Sequence, residues 1–218
     1  MKNNKIKNNF FYCEKLAAKF EEFGGSLGIN NFNKKNWQNI LIIDTSYEKD
    51  SIFKDEFCMP IANIIKLIPN CKYEIKHFSE KINYKQYDKI IIAGSSLKDF
   101  EYLNHLNKFE FIKTTNTPIL GICAGIQIIA KIYGAKLKKC KEIEITKTIT
   151  TKQNKLFEDE FDTYSIHNYS INCPKEFEII AKSKKAIHGV KHKKKEIYGV
   201  LFHPEIKNKE IIEKFINL

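Results

Sequence analysis

One cysteine in the chain stands between two glycines, in the run Gly121-Ile122-Cys123-Ala124-Gly125-Ile126-Gln127. Four apolar-rich residues, Ile119 to Ile122, precede it as a buried strand would, and helical spacing of Ile126, Ile129, Ala130 and Tyr133 follows. A nucleophile between strand and helix, flanked by residues without a Cβ, is the pattern of a nucleophile elbow. The turn lifts the sulfur clear of the sheet, sets it at a helix N-terminus, and aims the N–H of Ala124 where an oxyanion would form. A thiolate nucleophile also needs a base that takes its proton and returns it, and a third group that fixes the base. About 80 residues downstream, Gly199-Val200-Leu201-Phe202-His203-Pro204-Glu205 offers both. Residues i and i+2 of an extended chain share a face, and Pro204 drives His203 toward extended geometry. Each segment alone has a plainer reading: a core cysteine on a tight turn, and a His–Pro turn with a solvated carboxylate. Together they predict a Cys123–His203–Glu205 constellation.

Such a constellation needs a scaffold that converges distant segments. Ile40–Ile43, Lys89–Ala93, Ile119–Ile122 and Ile197–Phe202 are short apolar runs that read as buried strands. Tyr73–Phe78 alternates as a strand. Helical spacing appears around Ile61–Ile68, from Phe100 to Phe111, after Cys123, and in the closing Ile211, Ile212, Phe215 and Ile216. This alternation predicts an α/β fold, with a mostly parallel central sheet and helices on both faces. Residues 136–200 instead show short β-like pieces (Glu142–Thr150, Phe161–Ser165, Phe177–Ala181, Ala186–Val190), which predict a β-rich antiparallel insert. Residues 1–36 read as an extension: Tyr12, Leu16, Phe20 and Phe23 at helical spacing, Gly24–Gly25 as a stop, and a polar linker from Asn30 to Asn36. The expected domain is therefore 37–218.

GICAGIQ followed by FHPE at this spacing resembles the class I, triad-type glutamine amidotransferases, and the similarity covers most of residues 38–218. The resemblance implies that Cys123 attacks the side-chain amide of L-glutamine, with His203 as acid/base and Glu205 orienting it. It implies a second oxyanion donor in the turn after the third strand, here Ala93-Gly94-Ser95-Ser96, from the N–H of Gly94 or Ser95. It places Gln127 on the substrate, and gives His167-Asn168-Tyr169 as a loop whose backbone grips the amino-acid end, so that Asn168 and Tyr169 join the site while His167 has no catalytic role. No metal and no organic cofactor are implied. The product is ammonia, which implies a partner synthetase that consumes it. TPILGICAG, the run from Phe177 to Ser183, and IYGV-FHPE are most similar to the branch that forms the separate glutaminase subunit of GMP synthase. The alternative is a γ-glutamyl peptide or amide hydrolase of the same fold.

Composition narrows the remaining classes. The chain has 218 residues, 43% hydrophobic and 29% charged, enough for a sizeable core. The net charge of +11 rests on 37 basic residues that are all lysine. Without the arginine fork, specific nucleic-acid readout is not expected. The longest near-apolar stretch, Pro118 to Ala130, is too short for a bilayer, and no signal-peptide segment follows the basic N-terminus, so no membrane association is expected and a cytosolic location is. None of the six cysteines forms C-x-x-C, and their spacing predicts neither a zinc site nor a disulfide framework. His188 and His192 lie four apart in an expected hairpin, where zinc binding is not predicted.

Overall fold

The computed structural model describes residues 37–218. The expected helix at Tyr12–Phe23 and the linker at 30–36 lie outside the described residues. The described residues form one compact unit.

Strand β1 (Gln38–Asp44) opens the fold. Two short helices, α1 (Ile52–Phe57) and α2 (Met59–Ile65), lead to β2 (Cys71–His77) and then β3 (Lys89–Ile92). A 3-10 segment (Glu101–Phe109) and α3 (Phe111–Thr114) precede β4 (Ile119–Ile122), α4 (Ala124–Ile132), β5 (Leu137–Thr150), β6 (Glu160–Ile171), β7 (Phe177–Lys182), β8 (Ile187–His192), β9 (Ile197–Val200) and α5 (Glu210–Ile216). The nine strands form one sheet in the order β2-β1-β3-β4-β9-β8-β7-β5-β6. The four pairings from β2 to β9 are parallel and the four from β9 to β6 are antiparallel, so the sheet is mixed. The β-rich stretch after α4 continues this same sheet through β9.

The inner parallel strands β1, β3, β4 and β9 are largely apolar on both sides because both sides are covered. Ile40, Ile42, Ile91, Leu120 and Ile122 pack with Ile61 and Ile65 of α2 and Ile211 and Phe215 of α5. Leu41, Ile43, Ile90, Ile92 and Ile119 face the other way, onto Ile126 and Ile129 of α4 and onto Phe109 and Ile112. Each such fully buried isoleucine stabilises the fold by on the order of 2 kcal/mol relative to exposure. Among the described residues, no helix is long and apolar enough to cross a membrane.

Local outcomes differ from the sequence expectations for identifiable reasons. The Phe100–Phe111 helix forms as a 3-10 segment interrupted at His105 (φ −120°, ψ 32°), followed by α3. Gly134 ends α4 with φ 77°, a conformation glycine adopts without strain. Two of the four short β-like pieces are long strands, β5 with 14 residues and β6 with 12, while β7 and β8 have 6 each. Strand β6 extends through Ile171, so His167-Asn168-Tyr169 lies within a strand, not in a loop. The sheet curls, bringing β6 back to β9: the N–H of His203, just past β9, donates to the Tyr164 carbonyl at 2.9 Å.

Candidate active site

The elbow forms because its neighbours leave room for it. Strand β4 delivers Cys123, whose N–H donates to the Val200 carbonyl at 2.9 Å, and α4 starts at the next residue. The backbone strain sits on the cysteine itself, at φ 49° and ψ −98°. The flanking glycines are needed for space. A Cβ on Gly125 would lie 2.4 Å from the Ile92 carbonyl oxygen of β3, and one on Gly121 would lie 2.6 Å from the Gly125 carbonyl carbon. Gly199 has the same role on β9, where a Cβ would meet Ile126 Cγ1 at 2.6 Å.

His203 and Glu205 meet beside this elbow. His203 Nδ1 lies 2.7 Å from Glu205 Oε1, and both side chains are almost wholly buried. Because the carboxylate accepts, Nδ1 carries the hydrogen and Nε2 is left as the exchanging nitrogen. Among the described residues Nε2 has no hydrogen-bond partner. Burial pulls the imidazole pKa down, but the charges of Glu205 and Cys123 outweigh it and hold His203 well above the usual histidine range. The Cys123 thiol donates to the Ile166 carbonyl of β6 at 3.7 Å. Phe57 and Tyr164 flank the imidazole, with ring centroids 5.8 and 6.3 Å from it.

The turn after β3 closes the third side. A Cβ on Gly94 would lie 2.8 Å from His203 Cε1 and 3.5 Å from Cys123 Cβ, so this turn presses on both. The Thr45 hydroxyl lies 3.2 Å from the Ala93 carbonyl oxygen and 2.9 Å from that of Gly94. Across planar peptides this directs the N–H groups of Gly94 and Ser95 away from Thr45. Among the described residues neither N–H donates to a backbone carbonyl. The Ser95 hydroxyl donates to Asp99 at 2.6 Å, and Asp99 also accepts the Tyr47 N–H, which braces the turn.

Residues 61–217 match the family model described as Glutamine amidotransferase class-I. The chain belongs to this family. Class-I amidotransferase relatives include the glutamine-hydrolysing subunit of GMP synthase from Methanococcus aeolicus, 35% identical over 152 residues (66% of this chain and 77% of the relative). The protein of the same name from Methanocaldococcus jannaschii is 34% identical over the same shares. A solved structure from Thermoplasma acidophilum, described as the corresponding GMP synthase subunit, aligns with TM-score 0.71 and 26% identity, covering 83% of this chain and 93% of that one. A glutamine amidotransferase from Thermotoga maritima shares the fold at TM-score 0.63 and 20% identity, covering 83% and 81%.

In this class-I amidotransferase the remaining expected contacts form one wall. Gln127 is buried; its Oε1 accepts from the Tyr102 hydroxyl at 2.8 Å and its Nε2 donates to the Tyr169 carbonyl at 3.2 Å. Burial, then the charges of Cys123 and Asp99, raise the Tyr102 phenol far above its usual range, so it remains a donor. Asn168 Nδ2 donates to the Leu97 carbonyl at 2.9 Å, tying β6 to the turn that carries Gly94 and Ser95. Sequence reasoning missed a buried cluster behind this wall, Glu142, His167 and His188. Its members come from three strands, and their spacing carries no motif; along β5 alternation misleads, because Ile143, Ile145 and Ile149 are exposed while Glu142, on the polar face with Thr146 and Thr148, is buried.

Proposed function

We propose that the chain hydrolyses L-glutamine to glutamate and ammonia through a cysteinyl thioester, and that the ammonia passes to a partner synthetase. The observation that carries this reading is the 2.7 Å His203–Glu205 pair, which leaves a buried imidazole nitrogen without a partner beside an elbow cysteine. The Cys123 proton moves to His203 Nε2 and the thiolate adds to the carboxamide carbon. The N–H groups of Ala124 and of Gly94 or Ser95 stabilise the oxyanion, each worth about 3 kcal/mol of barrier. His203 protonates the departing ammonia, then activates the water that releases glutamate. Gln127, Asn168 and Tyr169 form the wall that receives the amino-acid end of glutamine. Residues 37–218 are the amidotransferase domain, with 1–36 as an extension.

The names of the relatives support the synthetase component of GMP synthase as the partner. The test is glutamate release by the full chain with and without that component, beside Cys123→Ala. Loss of at least about a thousandfold in Cys123→Ala is expected for removal of a covalent nucleophile. Glutamate release by Cys123→Ala at the parent rate would sink the proposal.

A further inference from the structure

His167 and Glu142 are register partners on β6 and β5, and their side chains are 0% and 1% exposed. His167 Nδ1 lies 3.1 Å from the Cys140 carbonyl oxygen. A carbonyl only accepts, so Nδ1 carries a hydrogen. The other nitrogen, Nε2, faces Glu142 Oε2 at 3.1 Å. Glu142 also accepts from the Ser183 hydroxyl at 2.9 Å and faces His188 Nε2 at 2.8 Å, and His188 Nδ1 lies 2.7 Å from the Thr148 hydroxyl. Burial pushes the Glu142 carboxyl up, but the hydrogen bonds from His167 and His188 outweigh it and hold it well below the usual carboxylate range, so it is a carboxylate that accepts from its neighbours. Every polar side-chain atom of Glu142, His167 and His188 has a hydrogen-bond partner.

A divalent ion fits this set less well. Glu142 Oε1 is engaged by Ser183, which leaves three ligand atoms where a closed metal site needs four. Both nitrogens already stand at direct hydrogen-bond distance from the same oxygen.

The cluster anchors the strand that lines the nucleophile. Side chains alternate along β6, so His167 points inward while its neighbours face the site. The Ile166 carbonyl accepts from Cys123, Asn168 ties to Leu97, and the Tyr169 carbonyl accepts from Gln127. We propose that His167, hydrogen-bonded to Glu142 and to the Cys140 carbonyl, is a positioning residue that fixes segment 166–169 as the glutamine-binding wall beside Cys123.

This rests on the glutaminase reading, so the test separates the two. In the full chain, Cys123 is inactivated with a glutamine-analogue electrophile and, separately, with iodoacetamide. Saturable inactivation of the wild type by the analogue sustains the glutaminase reading; its absence overturns both proposals together. With that in hand, His167→Gln and Glu142→Gln are expected to raise the half-saturating analogue concentration about tenfold. The limiting rate should stay within about threefold and the iodoacetamide rate unchanged, the pattern of lost binding rather than lost chemistry. An unchanged half-saturating concentration overturns the positioning role alone. Because each variant disturbs a buried polar cluster and risks failing to fold, amide hydrogen exchange of the wild type gives an independent reading, in which the amides of segment 166–169 should be protected as strongly as those of the parallel strands. Rapid exchange in that segment, or one equivalent of metal bound to the wild type through this cluster, overturns the proposal.

Discussion

Adding one methyl group at Gly94 should disable the site while leaving the fold largely intact. The Cβ of Gly94→Ala would stand 2.8 Å from His203 Cε1, whereas ordinary contacts begin at 3.4 Å, an overlap of 3.4 − 2.8 = 0.6 Å. Gly94 is outside the left-handed region, so alanine adopts its backbone without strain and the conflict is one of space alone. The imidazole cannot easily retreat, because it is 1% exposed and tied to Glu205 at 2.7 Å. Phe57 Cδ1, at 3.2 Å from the same Cβ, blocks a second escape. A misplacement of about 1 Å at a reacting group costs about a hundredfold. A shift of roughly half that predicts about a tenfold or greater loss in kcat, or about 1.4 kcal/mol of barrier. Overpacking costs stability as well, on the order of 1–3 kcal/mol, so a thermal midpoint measured alongside separates lost fold from lost chemistry. The assay is glutamate release at saturating glutamine. A Gly94→Ala protein with parental kcat would show that this turn does not press on His203, and the proposed oxyanion geometry would go with it.

Two further outcomes follow from the same side chains. Cys123 holds a backbone conformation that costs an ordinary residue about 1–3 kcal/mol, so Cys123→Gly should be more stable than Cys123→Ala by about 1 kcal/mol after the entropy cost of glycine, although both are inactive. Equal urea midpoints for the two variants would remove the strain from the account. His203 is held above its ordinary range, so its contribution to stability is complete below about pH 6.5 and declines as pH rises through the folded value. Cys123→Ala removes one of the two charges that raise it, so the decline, still starting near pH 6.5, should be smaller and end at lower pH; superimposable midpoint-versus-pH curves for parent and variant would contradict this.

What the chain discloses before folding, and what it withholds, follows from where the information resides. The buried parallel strands are legible because burial on both faces writes an unbroken apolar run, as in Ile40–Ile43 and Ile119–Ile122. The elbow and the His-Pro-Glu step are legible because each packs its chemistry into a few adjacent residues. The helix at Ile52–Phe57 is not, since it is six residues long, buries none of them fully and offers one apolar pair at helical spacing, Phe53 and Phe57. The reach of β6 is obscured for a different reason. Its residues 163, 165 and 167 are threonine, serine and histidine, polar side chains facing inward, so alternation of apolar and polar residues fails where the strand is most buried. Two of those inward groups find their partners across strands: Thr163 bonds to Thr146 and Thr148, and His167 to Glu142. A buried polar group states its partner through geometry, not spacing. That is why the pairing of His203 with Glu205 could be anticipated from sequence, while the Glu142, His167 and His188 cluster emerged only from the folded arrangement of β5, β6 and β8.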